Sequence, residues 1–337
     1  MKSLESLLKN SQSGLFAMLC KMFKDNAISS KGNYVLVKGE APIMLLAHLD
    51  TVHREPVQLI CTSADGNIIM SPQGIGGDDR CGVYALLTAY EKSEQKPWLL
   101  FTCDEEVGGV GADMFCKHFR SGKLPIELSG LKMLIEIDRK GEKDAVYYDC
   151  ANREFEAYIT GKGFKTEYGS FSDISLVAPE LGVAAVNLSS GYYNPHTQHE
   201  FINRRQLNAT TQKVIEIVAE TAEPDFPKYE YVEEFEPICF GGSRYASNYY
   251  GRFSGFDDKE LEEFTDRLEE VPEELREIYI ELLDLGWYSF DELEEYRNEC
   301  GNIAIVELYH SDIGYPGDDE DDGEVDEFGK KGGARYA

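Results

Sequence analysis

Two histidines and three clusters of acids carry whatever chemistry this sequence can do. His48 and Asp50 make a His-x-Asp at the end of the apolar run Ile43 to Ala47. Side chains two apart on a strand share a face, so Asp50 can hold one ring nitrogen of His48 and leave the other free for a metal. Alone, such a pair is more often a packed histidine beside a surface acid. Further on, Gly74-Ile75-Gly76-Gly77-Asp78-Asp79-Arg80 precedes a helical window. Asp78 there is either an N-cap or a carboxylate whose two oxygens can reach two cations. Next, Cys103-Asp104-Glu105-Glu106-Val107-Gly108-Gly109 follows the apolar run Leu99 to Thr102. Three adjacent acids at a strand end repel one another unless cations neutralise them, although a solvated acidic loop is the plainer alternative. One glutamate of such a set can bind metal while its neighbour takes a proton from water.

A further apolar run, Leu131 to Ile137, delivers Asp138-Arg139, and the loop after Val183 to Leu188 reads Tyr192-Tyr193-Asn194-Pro195-His196-Thr197-Gln198-His199-Glu200. Two histidines and three carboxylates suit a pair of zinc ions, and Co2+ or Mn2+ would also be accepted by these donors. His53, His118, His199 and His310 are assigned to structure or surface. His199 would share a face with His196 only if that loop were helical.

The elements that must position these residues alternate. Tyr34 to Val37, Ile43 to Ala47, Leu59 to Thr62, Ile68 to Met70, Leu99 to Thr102, Leu131 to Ile137 and Val183 to Leu188 read as strands, with Asp65-Gly66 as a hairpin turn. Cys81 to Tyr90, Gly111 to Phe119 and Arg205 to Thr221 read as helices, and an opening amphipathic helix is expected over residues 3–23. The alternation predicts an α/β fold, a mostly parallel sheet flanked by helices, with active residues at the carboxyl ends of its strands.

Of the net charge of −29, residues 223–337 carry −24 (34 acidic, 10 basic) and residues 1–222 only −5 (28 acidic, 23 basic). Such a balance argues against nucleic acid and anionic membranes as partners. Pro224, Pro227, Pro237 and Gly241-Gly242 break the pattern. The expected organisation is a catalytic domain over 1–222, an irregular linker over 223–255, an acidic helical region over 256–311, and a disordered acidic tail over 312–337, with the acidic part a candidate surface for a protein partner. The eight cysteines form no CxxC pair, which fits reduced thiols in the cytoplasm. The apolar stretch Gly14 to Cys20 is too short for a membrane span.

Over about residues 40–205, the ordered motifs His-x-Asp, Gly-x-Asp-Asp-Arg, Glu-Glu-x-Gly, an Asp-ended strand and His-Thr-x-x-Glu resemble the co-catalytic dizinc peptidase and aminoacylase superfamily. That superfamily includes peptidase T, carboxypeptidase G, acetylornithine deacetylases and bacterial leucyl aminopeptidases. The resemblance implies a three-layer zinc-exopeptidase fold in which His48 and Asp138 hold one zinc, Glu106 and His196 the other, and Asp78 bridges both. It further implies that Asp50 supports His48, that Glu105 is the general base acting on a water between the metals, and that the Asp78-Asp79 peptide is cis. Members with a lid insert it between the Asp-ended strand and the final histidine. Here Asp138 and His196 are only 58 residues apart, so the layout is similar to the lidless aminopeptidase branch. The expected activity is exopeptidase cleavage of a small peptide, with N-acyl amino-acid deacylation or carboxypeptidase action as the alternative. Asp173 or Asp149 could read a free amine, Arg153 or Arg204 a carboxylate, and Tyr192, Tyr193 or Arg139 could stabilise an oxyanion. A non-catalytic metal-binding interaction protein is the rival reading. Retention of every expected ligand and of Glu105 speaks against it.

Overall fold

A computed structural model describes residues 3–53, 55–169 and 171–233, and beyond them 267–268, 271–272, 275–284, 289–300, 302, 304–305 and 308. The chain divides into two compact units, Met1–Arg244 and Tyr245–Ala337.

The first unit opens with two helices, α1 (Leu4–Leu8) and α2 (Gln12–Met22), where the pattern predicts one. Ser11 causes the break: its hydroxyl accepts the Gly14 amide at 3.1 Å and starts a new helix, as N-cap serines do. The strands β1 (Ala27–Ser30), β2 (Tyr34–Val37) and β3 (Ile43–His48) follow, then the short hairpin β4 (Cys61–Thr62) and β5 (Ile68–Met70). Helix α3 (Gly77–Lys92), β6 (Trp98–Thr102), α4 (Val110–Arg120) and β7 (Met133–Arg139) complete the middle of the chain. After β8 (Asp144–Val146), α5 (Arg153–Gly161) and β9 (Lys165–Thr166) come α6 (Asp173–Leu181), β10 (Ala185–Ser189), β11 (Tyr192–Tyr193), β12 (Phe201–Asn203) and α7 (Arg204–Thr221).

Eight strands form one sheet in the order β1-β2-β6-β3-β7-β10-β8-β9, and β11-β12-β5-β4 form a second, antiparallel one. In the large sheet β6, β3, β7 and β10 run parallel, with antiparallel strands beside them. Alternation along each strand builds a core on either face. Ile43, Leu45 and Ala47 of β3 join Leu99 and Phe101 of β6 in one core, while Met44 and Leu46 join Trp98 and Leu100 in the other. Helices α1, α3 and α7 pack on the first face, and α4 and α6 on the second, which makes three layers. Each buried aliphatic side chain here contributes about 1.5–3 kcal/mol.

From β3 the chain crosses to β6 on one side, and from β6 it returns to β7 on the other. The order therefore switches at β3, and His48, Thr102 and Asp138 all reach the same edge of the sheet. Open α/β sheets bind ligands at such a switch point. Helix α3 comes close to that edge because residue 82 is glycine. A Cβ there would lie 2.3 Å from Asp79 Oδ2 and 2.4 Å from the Ile137 carbonyl oxygen.

Residues 224–233, which the sequence places in the linker, run along the first unit. Glu230 bridges to Val183 and Glu233 to Cys150, and Tyr229 packs its ring against Phe155 at 5.2 Å and Tyr158 at 5.8 Å. The rest of the expected linker, 234–255, and the tail 312–337 lie outside the described residues. In the second unit α8 (Arg276–Asp284) and α9 (Phe290–Cys300) fall within the expected acidic helical region. Leu268, Val271, Tyr279, Leu282, Phe290 and Leu293 form a small core of their own. Among the described residues no helix is long and apolar enough to cross a membrane.

Candidate metal centre

His48 closes β3 with its side chain fully buried. Its Nδ1 lies 3.2 Å from Asp50 Oδ1, and its Nε2 lies 3.1 Å from Asp78 Oδ1 and 3.6 Å from Asp138 Oδ1. The strand spacing thus does what it promises: Asp50 takes one ring nitrogen and the other faces two carboxylates. Asp50 has a second task, accepting the Glu105 amide on Oδ1 at 3.1 Å and the Glu106 amide on Oδ2 at 3.0 Å. It thereby ties the end of β3 to the acidic turn after β6.

The two oxygens of Asp78 face two histidines. Oδ1 is directed at His48 Nε2, and Oδ2 lies 3.3 Å from His196 Nε2. His196 Nε2 is also 3.1 Å from Glu106 Oε2. Capping of α3, the plainer role considered for Asp78, is done by its neighbour. Asp79 accepts the Gly82 amide at 2.8 Å with Oδ1 and the His48 amide at 3.3 Å with Oδ2. Asp79 also comes within ligand reach of His48 and Asp138. Both its oxygens accept main-chain amides, whereas Asp78, Asp138 and Glu106 face the histidine ring nitrogens directly. The Asp78-Asp79 peptide is cis.

Asp138, on the penultimate residue of β7, donates its amide to Asn187 Oδ1 at 2.8 Å and accepts from the Tyr192 hydroxyl at 3.3 Å on Oδ1. Tyr192 is buried and engaged with a ligand candidate. Tyr193 points elsewhere, its hydroxyl on Gln206 at 2.9 Å and its ring stacked on Phe201. Arg139 donates to the Tyr168 carbonyl at 3.0 Å and lies 3.7 Å from Asp144. Asp173 is wholly buried, with Oδ2 taken by the Thr102 hydroxyl. Arg204 pairs with Glu5, Arg153 begins α5, and Asp149 sits in the loop before it.

Sequence reasoning missed the role of Glu200. Its Oε1 accepts the Asp78 amide at 2.9 Å, and its Oε2 accepts the Gly76 amide at 2.9 Å and faces His53 Nε2 at 3.3 Å. The signal was present as the last residue of His-Thr-x-x-Glu, but its partners lie more than a hundred residues upstream.

The protein's own charges compete strongly here. Burial pushes the Glu105 carboxyl up to about 9, helped by Asp138, Asp173 and Glu106 and opposed by His48. Hydrogen bonds to Asp78 and Glu106 raise His196 to about 10. Burial and the charge of Asp78 raise Asp138. Burial acts to raise Asp50 too, yet its bonds and charge contact with His48 and the amides of Glu106 and Glu105 hold it at about 2. Glu106 Oε1 is buried without a hydrogen-bond partner among the described residues. Two imidazoles and three carboxylates, one of them with an orphaned oxygen, are donors that divalent cations take, and the residues fit a pair of them.

Beside these groups opens a groove of about 510 Å³ lined in part by Asn10, Gln12, Asp50, Glu55, Asp104 and Glu106. Arg80 also lines it, with its guanidinium donating to the carbonyl oxygens of Leu49 at 2.6 Å, Asp50 at 3.0 Å and Asn10 at 3.2 Å.

No protein-family model matches the chain, and no curated protein matches it. Solved aminopeptidases are similar to it. The aminopeptidase PepT from Bacillus cereus shares 16% identity at a TM-score of 0.49, over 65% of this chain and 97% of that one. A tripeptidase from Staphylococcus aureus shares 14% at 0.49, over 65% and 96%. An aminopeptidase from the archaeon Desulfurococcus kamchatkensis shares 17% at 0.46, over 64% and 93%. These are likenesses of fold at low identity.

Proposed function

We propose that the chain is a metal-dependent hydrolase that cleaves a peptide or related amide bond. The carrying observation is Asp78, whose two oxygens face the metal-binding nitrogens of two histidines, each of which also faces a further carboxylate. His48 and Asp138 would hold one divalent cation, His196 and Glu106 the other, and Asp78 both, with zinc the ion that the mixed nitrogen and oxygen donors suit best. Bound there, the cations supply the positive charge that polarises a scissile carbonyl and acidifies water.

The chain's own residues divide the remaining work. Glu105, freed from ligation by its neighbour Glu106 and ionised once bound cations offset the burial that raises it, would take a proton from the attacking water and return it to the leaving amine. Asp50 fixes the ring of His48 and, through two amides, the turn that carries Glu105. Tyr192 orients Asp138, and Glu200 holds the backbone of Asp78 in place.

The groove favours the amino end of a substrate. Of the acids that line it, Asp50 is held by His48 and two amides, Asp104 by Gln12, and Glu106 is assigned to a cation, which leaves Glu55 for an amine; the charge of Arg80 is spent on three carbonyl oxygens rather than offered to a carboxylate. Aminopeptidase action is therefore the reading over carboxypeptidase or N-acyl deacylase action. The test is a screen of the zinc-loaded chain on leucine para-nitroanilide, Leu-Gly-Gly and N-acetyl-leucine. Cleavage of the first two that disappears on chelation and returns with zinc is expected. Hydrolysis that survives complete removal of metal contradicts the proposal.

A further inference from the structure

We infer that Gln12, on the first turn of α2 and far from every ligand in sequence, is a positioning residue for Glu105. The inference rests on the hydrolase reading above.

The turn after β6 must aim two adjacent glutamates in different directions, one to a metal and one to a proton. Its backbone is unusual at Asp104, whose φ of 59° lies in the left-handed region that a non-glycine residue occupies only when its surroundings hold it. Downstream, the turn is secured by its own amides: Val110 donates to the Asp104 carbonyl at 3.1 Å, and Gly108 and Gly109 donate to that of Glu105 at 2.9 and 3.0 Å. Across the site, Asp50 takes the amides of Glu105 and Glu106. Asp104 is held from a different quarter. The Gln12 carboxamide grips it at two points, accepting its amide on Oε1 at 3.1 Å and donating from Nε2 to its Oδ1 at 2.7 Å.

A carboxamide can do this because it pairs one acceptor with one donor on a planar end. The orientation is not ambiguous, since the Asp104 amide can only donate. Gln12 is itself well anchored. Ser11 caps the helix immediately before it, and Leu15 and Leu19, one and two turns on, are fully buried in the core. The core under α2 is therefore connected rigidly to the residue that precedes the proton carrier. Gln12, Asp104 and Glu106 line one groove, which places the clamp on the wall of the site.

Gln12→Met keeps the length of the side chain and removes both hydrogen bonds. On the zinc-loaded full chain, with whichever of leucine para-nitroanilide, Leu-Gly-Gly and N-acetyl-leucine the wild type cleaves fastest, kcat should fall about tenfold to a hundredfold. KM, zinc content and melting temperature should stay near wild type, while amide hydrogen exchange rises at residues 104–106 and not elsewhere. Gln12→Glu sets two carboxylates against each other and should behave like Gln12→Met. Combined with Asp104→Asn it exchanges donor and acceptor across the same contact, and both kcat and exchange should return towards wild type. A Gln12→Met variant with wild-type kcat, or a double variant no better than Gln12→Glu alone, overturns the inference. Should the wild type cleave no substrate, the hydrolase reading fails, and the clamp is then judged by exchange at 104–106 and its recovery in the double variant.

Discussion

The two histidines of the site stand in opposite kinds of structure. His48 ends a core strand, is completely buried, and is surrounded by Asp50, Asp78 and Asp138. His196 sits in a loop at a left-handed φ of 62°, with 53% of its side chain exposed, and touches Asp78 and Glu106. The strand-built half arises from the alternation that also builds the cores, so its geometry is inseparable from the fold. The loop-built half is assembled by turns and hydrogen bonds at the surface and can be altered while the fold remains. Asp78 belongs to both.

That contrast can be broken most severely at Glu105, proposed as the base and as a ligand of neither cation. Glu105→Gln should lose about 10²–10⁴ in kcat while keeping both metals, whereas Glu106→Gln should lose metal first. Zinc loss in Glu105→Gln and retention in Glu106→Gln would reverse the two assignments. A step smaller, His48→Ala leaves three buried acids facing one another and should cost about 3–5 kcal/mol of stability along with both cations. His196→Ala, at a half-exposed position where solvent screens its two carboxylate contacts, should cost less, about 1 kcal/mol, and lose one cation. Thermal melts and elemental analysis of the two variants separate the halves directly; equal losses in both would erase the distinction.

Proton release gives a gentler probe. His196, raised to about 10, and Glu105, raised to about 9, hold protons at neutral pH when no metal competes for them. Cations must displace these protons, so zinc affinity should rise as pH increases from 6 to 8, and loading should acidify a weakly buffered solution. Calorimetric titration in two buffers of different ionisation enthalpy counts the protons. Zinc uptake without any release contradicts the placement of His196 and Glu105 beside the cations.

Much of the strand-built half was legible in the sequence because its information is local. Apolar runs ending in His48, Thr102 and Asp138 mark β3, β6 and β7, and period-two spacing alone puts His48 and Asp50 on one face. The loop-built half needed the resemblance, since nothing local separates His196 from His199. What stayed hidden was non-local: Glu200 meets Gly76 from 124 residues away, and Gln12 meets Asp104 from 92. Strands β8 and β9, three and two residues long, carry too little pattern to announce themselves, whereas α5 has Phe155, Tyr158 and Ile159 at helical spacing behind Asn152 and was legible but missed. Tyr229 was placed in a linker because Pro224 and Pro227 read as a break, yet its ring packs against Phe155 and Tyr158.

The smallest effect expected comes from the acidic second unit, which contributes none of the proposed ligands. Removing residues 245–337 should leave zinc content and turnover of small substrates nearly unchanged. Removing everything after Pro224 also takes away Tyr229 and should destabilise the first unit by about 3–5 kcal/mol, as loss of a buried aromatic does. If the shorter deletion stays folded and zinc-loaded but inactive, the second unit takes part in the reaction and the proposed independence fails.

The most direct measurement is the number of zinc ions bound per chain at saturation, by elemental analysis after removal of excess metal, in the wild type and in His196→Ala. Two ions in the wild type and one in the variant are expected if Asp78 joins a strand-built site to a loop-built one. A wild type that never exceeds one ion contradicts that central claim.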